Sequence, residues 1–218
     1  MNYKRPRTKE ELQKREAIGV IRASRFVRKF AHSRKEIGIK TILSIHKEIF
    51  NDAWPEIAGK YRDENIKITY SKHLPPHYSE IETLMNKMDY ELQIKLRDLK
   101  SIEGIFGDED LDMDILTVAI DKIIHVAAWL HHAITFIHPF REGNGRTARL
   151  AANLILERYG LVGISIKIEQ EDKDRYRKAL SQIDIIQDYE PLANLISEGL
   201  IERYDGVAVK YYEFKKKK

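Results

Sequence analysis

The sequence predicts a mainly α-helical protein, a helical bundle carrying one short β-hairpin. Three observations lead there. Apolar residues recur at three- and four-residue spacings through most of the 218 positions. Residues that start and stop helices bracket those stretches, as with Thr8-Lys9-Glu10-Glu11, which has capping-box spacing, and Gly160, placed as a C-cap. One segment departs from this habit: between Gly59 and the pair Pro75-Pro76, Ile66, Ile68 and Tyr70 alternate with polar residues as in a short strand or hairpin.

A first helix is expected from Thr8 to about Ala31, with Ile18, Ile21, Phe26 and Phe30 as a loose apolar stripe. A second runs from Ile37 to about Phe50, where Ile37, Thr41, Ile42, Ile45 and Ile49 share a face. Helical spacing resumes from His77 to about Leu99, followed by an acidic loop that includes Asp108, Glu109 and Asp110. Two long apolar helices then flank a polar dozen, from Asp114 to Ile137 and from Thr147 to Tyr159. Two further helices are expected from Glu171 to about Ile185 and from Tyr189 to Tyr204. Val207, Val209 and Tyr211 alternate in a possible terminal strand. This divides the chain into a basic helical extension (1–36), a main domain (37–204) and a tail (205–218).

Composition narrows the function classes. The chain is 43% hydrophobic and 33% charged, the balance of a soluble globular protein. No apolar run approaches the roughly 20 residues of a membrane span, and no signal-like stretch follows Met1. Cysteine is absent, which excludes disulfides and thiolate metal sites and suits a cytoplasmic location. Residues 1–40 hold 13 Lys/Arg against 4 Asp/Glu, but few aromatics interleave them, so the reading is a solvated helix face and nucleic acid is an unlikely partner. No carboxylate sits at the matching spacing between His125, His131 and His132, which read as partly buried histidines near the cleft. The acidic run 108–114 lacks the spacing of a calcium loop.

The chemistry concentrates in residues 138–149, His-Pro-Phe-Arg-Glu-Gly-Asn-Gly-Arg-Thr-Ala-Arg. Pro139 lacks a donor and biases His138 away from helical geometry, so the preceding helix should end near Ile137 and leave His138 at a corner. An imidazole there is suited to take a proton near neutral pH. Phe140 should anchor the loop in the core. Gly143, Asn144 and Gly145 tolerate positive φ, and successive amides in such a turn form an anion-binding nest at the start of the next helix. Glu142 beside an anion site is electrostatically misplaced unless a cation such as Mg²⁺ intervenes. Arg146 and Arg149, three apart, project from one side with forked donors suited to phosphate oxygens.

These twelve residues resemble the signature of the Fic family, His-x-Phe-x-(Asp/Glu)-Gly-Asn-Gly-Arg-x-x-Arg, at every specified position. The surroundings are similar too. Ile45-His46-Lys47-Glu48-Ile49-Phe50, Trp54 and Ala58-Gly59-Lys60-Tyr61-Arg62 look like the family's upstream helix and the loop after it. Asp188-Tyr189-Glu190-Pro191-Leu192 looks like the start of its closing helix, so the resemblance covers roughly 37–204. It implies a Fic-type helical bundle whose β-hairpin flap is Ile66, Lys67, Ile68, Thr69, Tyr70, Ser71, Lys72, His73 and Leu74.

The resemblance also implies a protein adenylyltransferase, moving AMP from ATP to a Tyr, Ser or Thr hydroxyl of a target protein. His138 would be the general base and Glu142 the Mg²⁺ ligand. Gly143, Asn144 and Gly145 would cradle the α- and β-phosphates, Asn144 with its side chain. Arg146 would hold the β-phosphate and Arg149 the γ-phosphate, and the flap would pair with the target's backbone. The alternatives are transfer of another phosphate-containing group, a toxin held by a small antitoxin partner, or a silent peptide-binding module; assembly as a homo-oligomer is also open. Many family members are silenced by a glutamate in a Ser/Thr-x-x-x-Glu-Gly/Asn helix that pairs with the second motif arginine. Its nearest counterpart here is Asn194-Leu195-Ile196-Ser197-Glu198-Gly199, which makes Glu198 the candidate inhibitory residue.

Overall fold

In the computed structural model, the described residues are 6, 8–33, 35–68, 73–107, 112–164 and 170–216. They contain seven α-helices: α1 Lys9–Ala31, α2 Ile39–Phe50, α3 Ile81–Leu99, α4 Met113–Ile137, α5 Asn144–Arg158, α6 Gln170–Ile186 and α7 Glu190–Lys216. No helix among them is long and apolar enough to cross a membrane.

The axis of the bundle is α4, packed along α5 and against α3, α6 and α7. Its apolar residues run nearly all round, so Ile123, Ala127, Leu130 and Ile134 are fully buried, as a central helix requires. A second seam joins α1, α2 and α5. Here Gly19 lets α1 approach α2 closely, since a Cβ at that position would lie 1.9 Å from the carbonyl oxygen of Ile49. Arg22 ties the same seam by donating to the Glu48 carbonyl at 2.6 and 3.1 Å and pairing with the Asp52 carboxylate. Some of the basic character of the N-terminal segment thus serves packing, because Arg15 and Arg22 both turn onto α2 and the turn after it.

Helix ends follow the local chemistry. Thr8 caps α1 by accepting from the Glu11 amide at 3.1 Å. Asp112 caps α4 through the Asp114 amide, and α4 ends at Ile137 as Pro139 requires. Helix α5 begins at Asn144 rather than near Arg146, so the Gly-Asn-Gly turn itself opens the helix.

One expectation changes, and another falls partly outside the described residues. The described residues contain no strand. Ile66, Lys67, Ile68, His73 and Leu74 are irregular, and Thr69, Tyr70, Ser71 and Lys72 lie outside the described residues. Side chains hold the described residues around the gap: Arg62 donates to the carbonyls of Glu64 (2.9 Å) and Pro76 (2.6 Å), and His73 donates to that of Phe136 (2.8 Å). The possible terminal strand at 207–211 is helix instead, because α7 continues to Lys216. Extending an existing helix needs no new nucleation, whereas five alternating residues have no partner strand to pair with.

Candidate active site

His138 is the C-cap of α4 and sits in the left-handed region at φ 52°, ψ 55°, unusual for a residue with a side chain. Its amide still closes the helix onto Ile134 at 3.0 Å, while its carbonyl accepts from Arg62 Nε at 2.8 Å. The imidazole Nδ1 lies 3.0 Å from the Thr135 carbonyl. A carbonyl only accepts, so Nδ1 carries the proton in the neutral ring and Nε2 presents a lone pair. Burial lowers the pKa of His138 below its ordinary value, and the charge of Arg62 pushes the same way against the Thr135 bond and Glu142. The ring is therefore neutral at pH 7 and held in one orientation.

The loop beyond it is cross-braced. Phe140 is fully buried, confirming it as the anchor, and stacks on His46 of α2 at 3.9 Å with rings 7° from parallel. His46 Nε2 donates to the Glu142 carbonyl (3.0 Å), and its Nδ1 accepts from the Gly59 amide (2.9 Å). Both ring nitrogens are thus used by the neutral form, and burial pushes its pKa down to about 4. Asn144 is buried with its amide turned inward, accepting from the Phe140 amide (2.8 Å) and donating to the Phe140 carbonyl (2.7 Å). What Asn144 offers an anion is its backbone N–H and the shape of the loop. Gly143 has φ 80°, and a Cβ there would stand 2.3 Å from the Phe50 ring. Glycine is required on both counts.

These residues wall a cavity of about 440 Å³. It is lined by His138, Glu142, Gly143, Asn144 and Gly145 from the motif and by Ile66, Lys67 and Ile68 from across the gap. A second cavity of about 430 Å³ adjoins it, sharing Ile68, His138 and Gly145 and extending to His132, Tyr176 and Asp184. The start of α5 opens onto the first, so the positive end of the helix faces the space where an anion would sit.

Glu142 is half exposed and accepts from the Gly143 amide at 2.8 Å and Arg146 at 3.2 Å. Among the described residues no cluster of three or more histidine and carboxylate side chains is placed to hold a metal. The donor set nonetheless suits Mg²⁺ of the kind held by one carboxylate, water and substrate phosphates.

The two arginines differ. Arg146 lies over the Phe50 ring at 5.0 Å and donates to Glu142 and, at 2.7 Å, to Glu16 of α1. Arg149 is largely buried, with its guanidinium beside Gly145 and the Tyr176 side chain near enough to influence it. Glu198 lies elsewhere, on the outer side of α7, paired with Arg175 at 2.7 Å and lining a separate cleft. Leu74 is 74% exposed, while His73 packs its ring on Phe136 at 4.5 Å.

Glu16 and Tyr176 escape the sequence reading, and His46 enters it only as part of the upstream helix, with no role of its own. Glu16 stands in Leu12-Gln13-Lys14-Arg15-Glu16-Ala17, without the hydroxyl and glycine that would mark an inhibitory helix. His46 and Tyr176 sit alone within helical stretches, where nothing in the spacing separates them from core residues.

Fold and site together define a helical domain built around a histidine corner and a Gly-Asn-Gly turn at a helix start. A model of the Fic/DOC family matches residues 36–156, and the chain belongs to this family. It is 32% identical over 175 residues to the protein adenylyltransferase Fic of Nematostella vectensis, covering 80% of this chain and 35% of that protein. Protein adenylyltransferase fic-1 of Caenorhabditis elegans is 30% identical over 196 residues, 88% of this chain and 34% of that one. The chain thus spans about a third of the length of these relatives. Among solved structures it is similar to C. elegans Fic-1 (residues 134–508), at TM-score 0.63 and 25% identity over 94% of this chain and 54% of that one. The fold also matches a BepC effector protein of Bartonella tribocorum solved with bound AMPPNP, at TM-score 0.63 and 17% identity over 89% of this chain and 88% of that one.

Proposed function

We propose that this chain is a protein adenylyltransferase, transferring AMP from ATP to a Tyr, Ser or Thr hydroxyl of a target protein. The observation that carries this reading is the orientation of His138. Thr135 holds its Nδ1 proton, and the ring borders both adjoining cavities together with the anion-binding turn.

The target hydroxyl gives its proton to His138 Nε2 as its oxygen bonds to the α-phosphorus. The bond from that phosphorus to the bridging oxygen of the β-phosphate breaks, and pyrophosphate leaves. The turn amides and α5 stabilise the phosphate charge, with Arg146 on the β-phosphate and Arg149 on the γ-phosphate. Glu142 would hold Mg²⁺, which when bound neutralises phosphate charge. Ile66, Lys67 and Ile68, facing the motif across the cavity, would meet the target's backbone.

Glu16 adds regulation in cis. Its carboxylate takes the Arg146 donor that the β-phosphate needs, so the resting site is partly closed by α1. Glu198 is paired instead with Arg175.

Incubation with ATP labelled at the α-phosphate, alone and with lysate, tests the reading. Protein should acquire the α-label and the added mass of AMP, and His138→Ala should abolish labelling while retaining ATP binding. Label from the γ-phosphate instead would point to phosphoryl transfer, incorporation of neither to a binding module, and full labelling by His138→Ala would remove the general base.

A further inference from the structure

Arg62 stands between the motif and the segment that faces it. Its side chain is buried, at 4% exposure, and among the described residues its guanidinium is met by carbonyls. Nε donates to His138 at 2.8 Å, Nη1 to Glu64 at 2.9 Å and Nη2 to Pro76 at 2.6 Å. The Arg62 amide donates to the Pro139 carbonyl at 2.9 Å, so one residue grips two successive carbonyls of the corner. Glu64 precedes Ile66, Lys67 and Ile68, which border the cavity opposite His138, and Pro76 follows them. The Tyr78 amide, donating to Asn65 Oδ1 at 3.0 Å, joins the same two stretches of chain.

Each donor has its own consequence. His138 ends α4, where a carbonyl has no partner within the helix, and its backbone at φ 52° and ψ 55° is strained for a residue with a Cβ. A charge-assisted hydrogen bond, roughly twice as strong as a neutral one, holds it there. That backbone sets the direction of the ring, whose Nδ1 reaches the Thr135 carbonyl. The other two donors fix both ends of the facing segment to the same planar group. A lysine ammonium lacks the fork that meets three carbonyls from fixed directions. With carbonyls as partners the guanidinium also keeps its charge. Burial lowers the His138 pKa, the Thr135 bond opposes it, Arg62 and His73 lower it further, and Glu142 raises it. His132 and Asp184 border the same cavity as the ring.

We infer that Arg62 is a positioning residue for the transfer, one guanidinium that sets His138 in its left-handed corner and registers Ile66–Ile68 against the base. This rests on the transferase reading above.

Arg62→Lys keeps the charge and loses the fork, whereas Arg62→Met loses both. Incorporation of label from ATP labelled at the α-phosphate, with lysate present and ATP saturating, should fall about 10- to 100-fold in both variants. Calorimetry should find ATP affinity within about twofold of wild type, and thermal melts report folding. Proton NMR titration of the His138 ring, assigned by its loss in His138→Gln, should show a raised pKa in Arg62→Met and a nearly unchanged one in Arg62→Lys. A folded Arg62→Lys that labels at the wild-type rate overturns the inference. So does a loss of ATP affinity matching the loss of rate, or unfolding of both variants, because Arg62 would then serve the fold alone. A wild type that incorporates no α-label overturns the transferase reading itself, and the His138 titration then decides on Arg62. A pKa that does not rise in a folded Arg62→Met overturns the inference in either case.

Discussion

Replacing Glu16 by Ala should open the nucleotide site. In the resting structure Arg146 Nη1 donates to Glu16 Oε2 at 2.7 Å, and the two side chains are 25% and 17% exposed. A nucleotide that uses Arg146 must first displace this carboxylate. A hydrogen bond between charged partners contributes about 1.5–3 kcal/mol, and partial solvent screening brings the share competing with ATP to about 1–2 kcal/mol. Glu16→Ala should therefore tighten ATP binding roughly 5- to 30-fold. AMP, with no β-phosphate to reach Arg146, should respond by less than about twofold. Alanine preserves helix propensity, and α1 keeps its other ties through Gly19 and Arg22. The melting temperature should fall by only a few degrees. Titration calorimetry with ATP and AMP on both proteins, alongside thermal melts, is the direct assay. An ATP affinity that is unchanged or weaker in a folded Glu16→Ala protein would refute the reasoning, because the pair would then not compete with the nucleotide.

Other outcomes follow from the same geometry. Transfer activity should persist at pH 6.5 and decline only as the solution is acidified further. The pKa of His138 is lowered in the folded protein, and its neutral form, the active one, predominates above that value; a rate already half lost at pH 7 would contradict this. His46, held near pKa 4, and His131, held near 3, make stability fall on acidification. The unfolded chain takes up protons below about pH 6.5 while the folded one does not, a loss of roughly 1.4 kcal/mol per pH unit for each group until its folded pKa is reached. Melts from pH 7 to pH 5 should show the decline. Gly143→Ala should cost about 2–4 kcal/mol, since the new Cβ meets Phe50 at 2.3 Å on a backbone with φ 80°; urea unfolding near wild type would place the strain elsewhere.

The legible part of this protein was its local chemistry. Apolar periodicity located the long helices because each buries a continuous face, and Pro139 marked the end of α4 to the residue. The motif named His138 and the turn because a base, glycines and arginines in twelve consecutive positions need no tertiary partner to be recognised. Alternation at 207–211 misled because a strand needs a partner strand, and the continuation of α7 is invisible to spacing; at 66–74 the described residues are irregular, and 69–72 lie outside them.

The sequence by itself determined a helical Fic/DOC-type domain and the identity of the motif residues, because those depend on short-range pattern. Only the tertiary structure decided what each residue meets. It brought Glu16 from 130 positions away onto Arg146, a contact made possible by the close approach at Gly19. It turned Asn144 inward and fixed the tautomers of His46 and His138 through carbonyls. Each of these depends on which atom arrives within about 3 Å, whether from the same turn or from a distant helix, and hydrogen-bond chemistry is decided at that range.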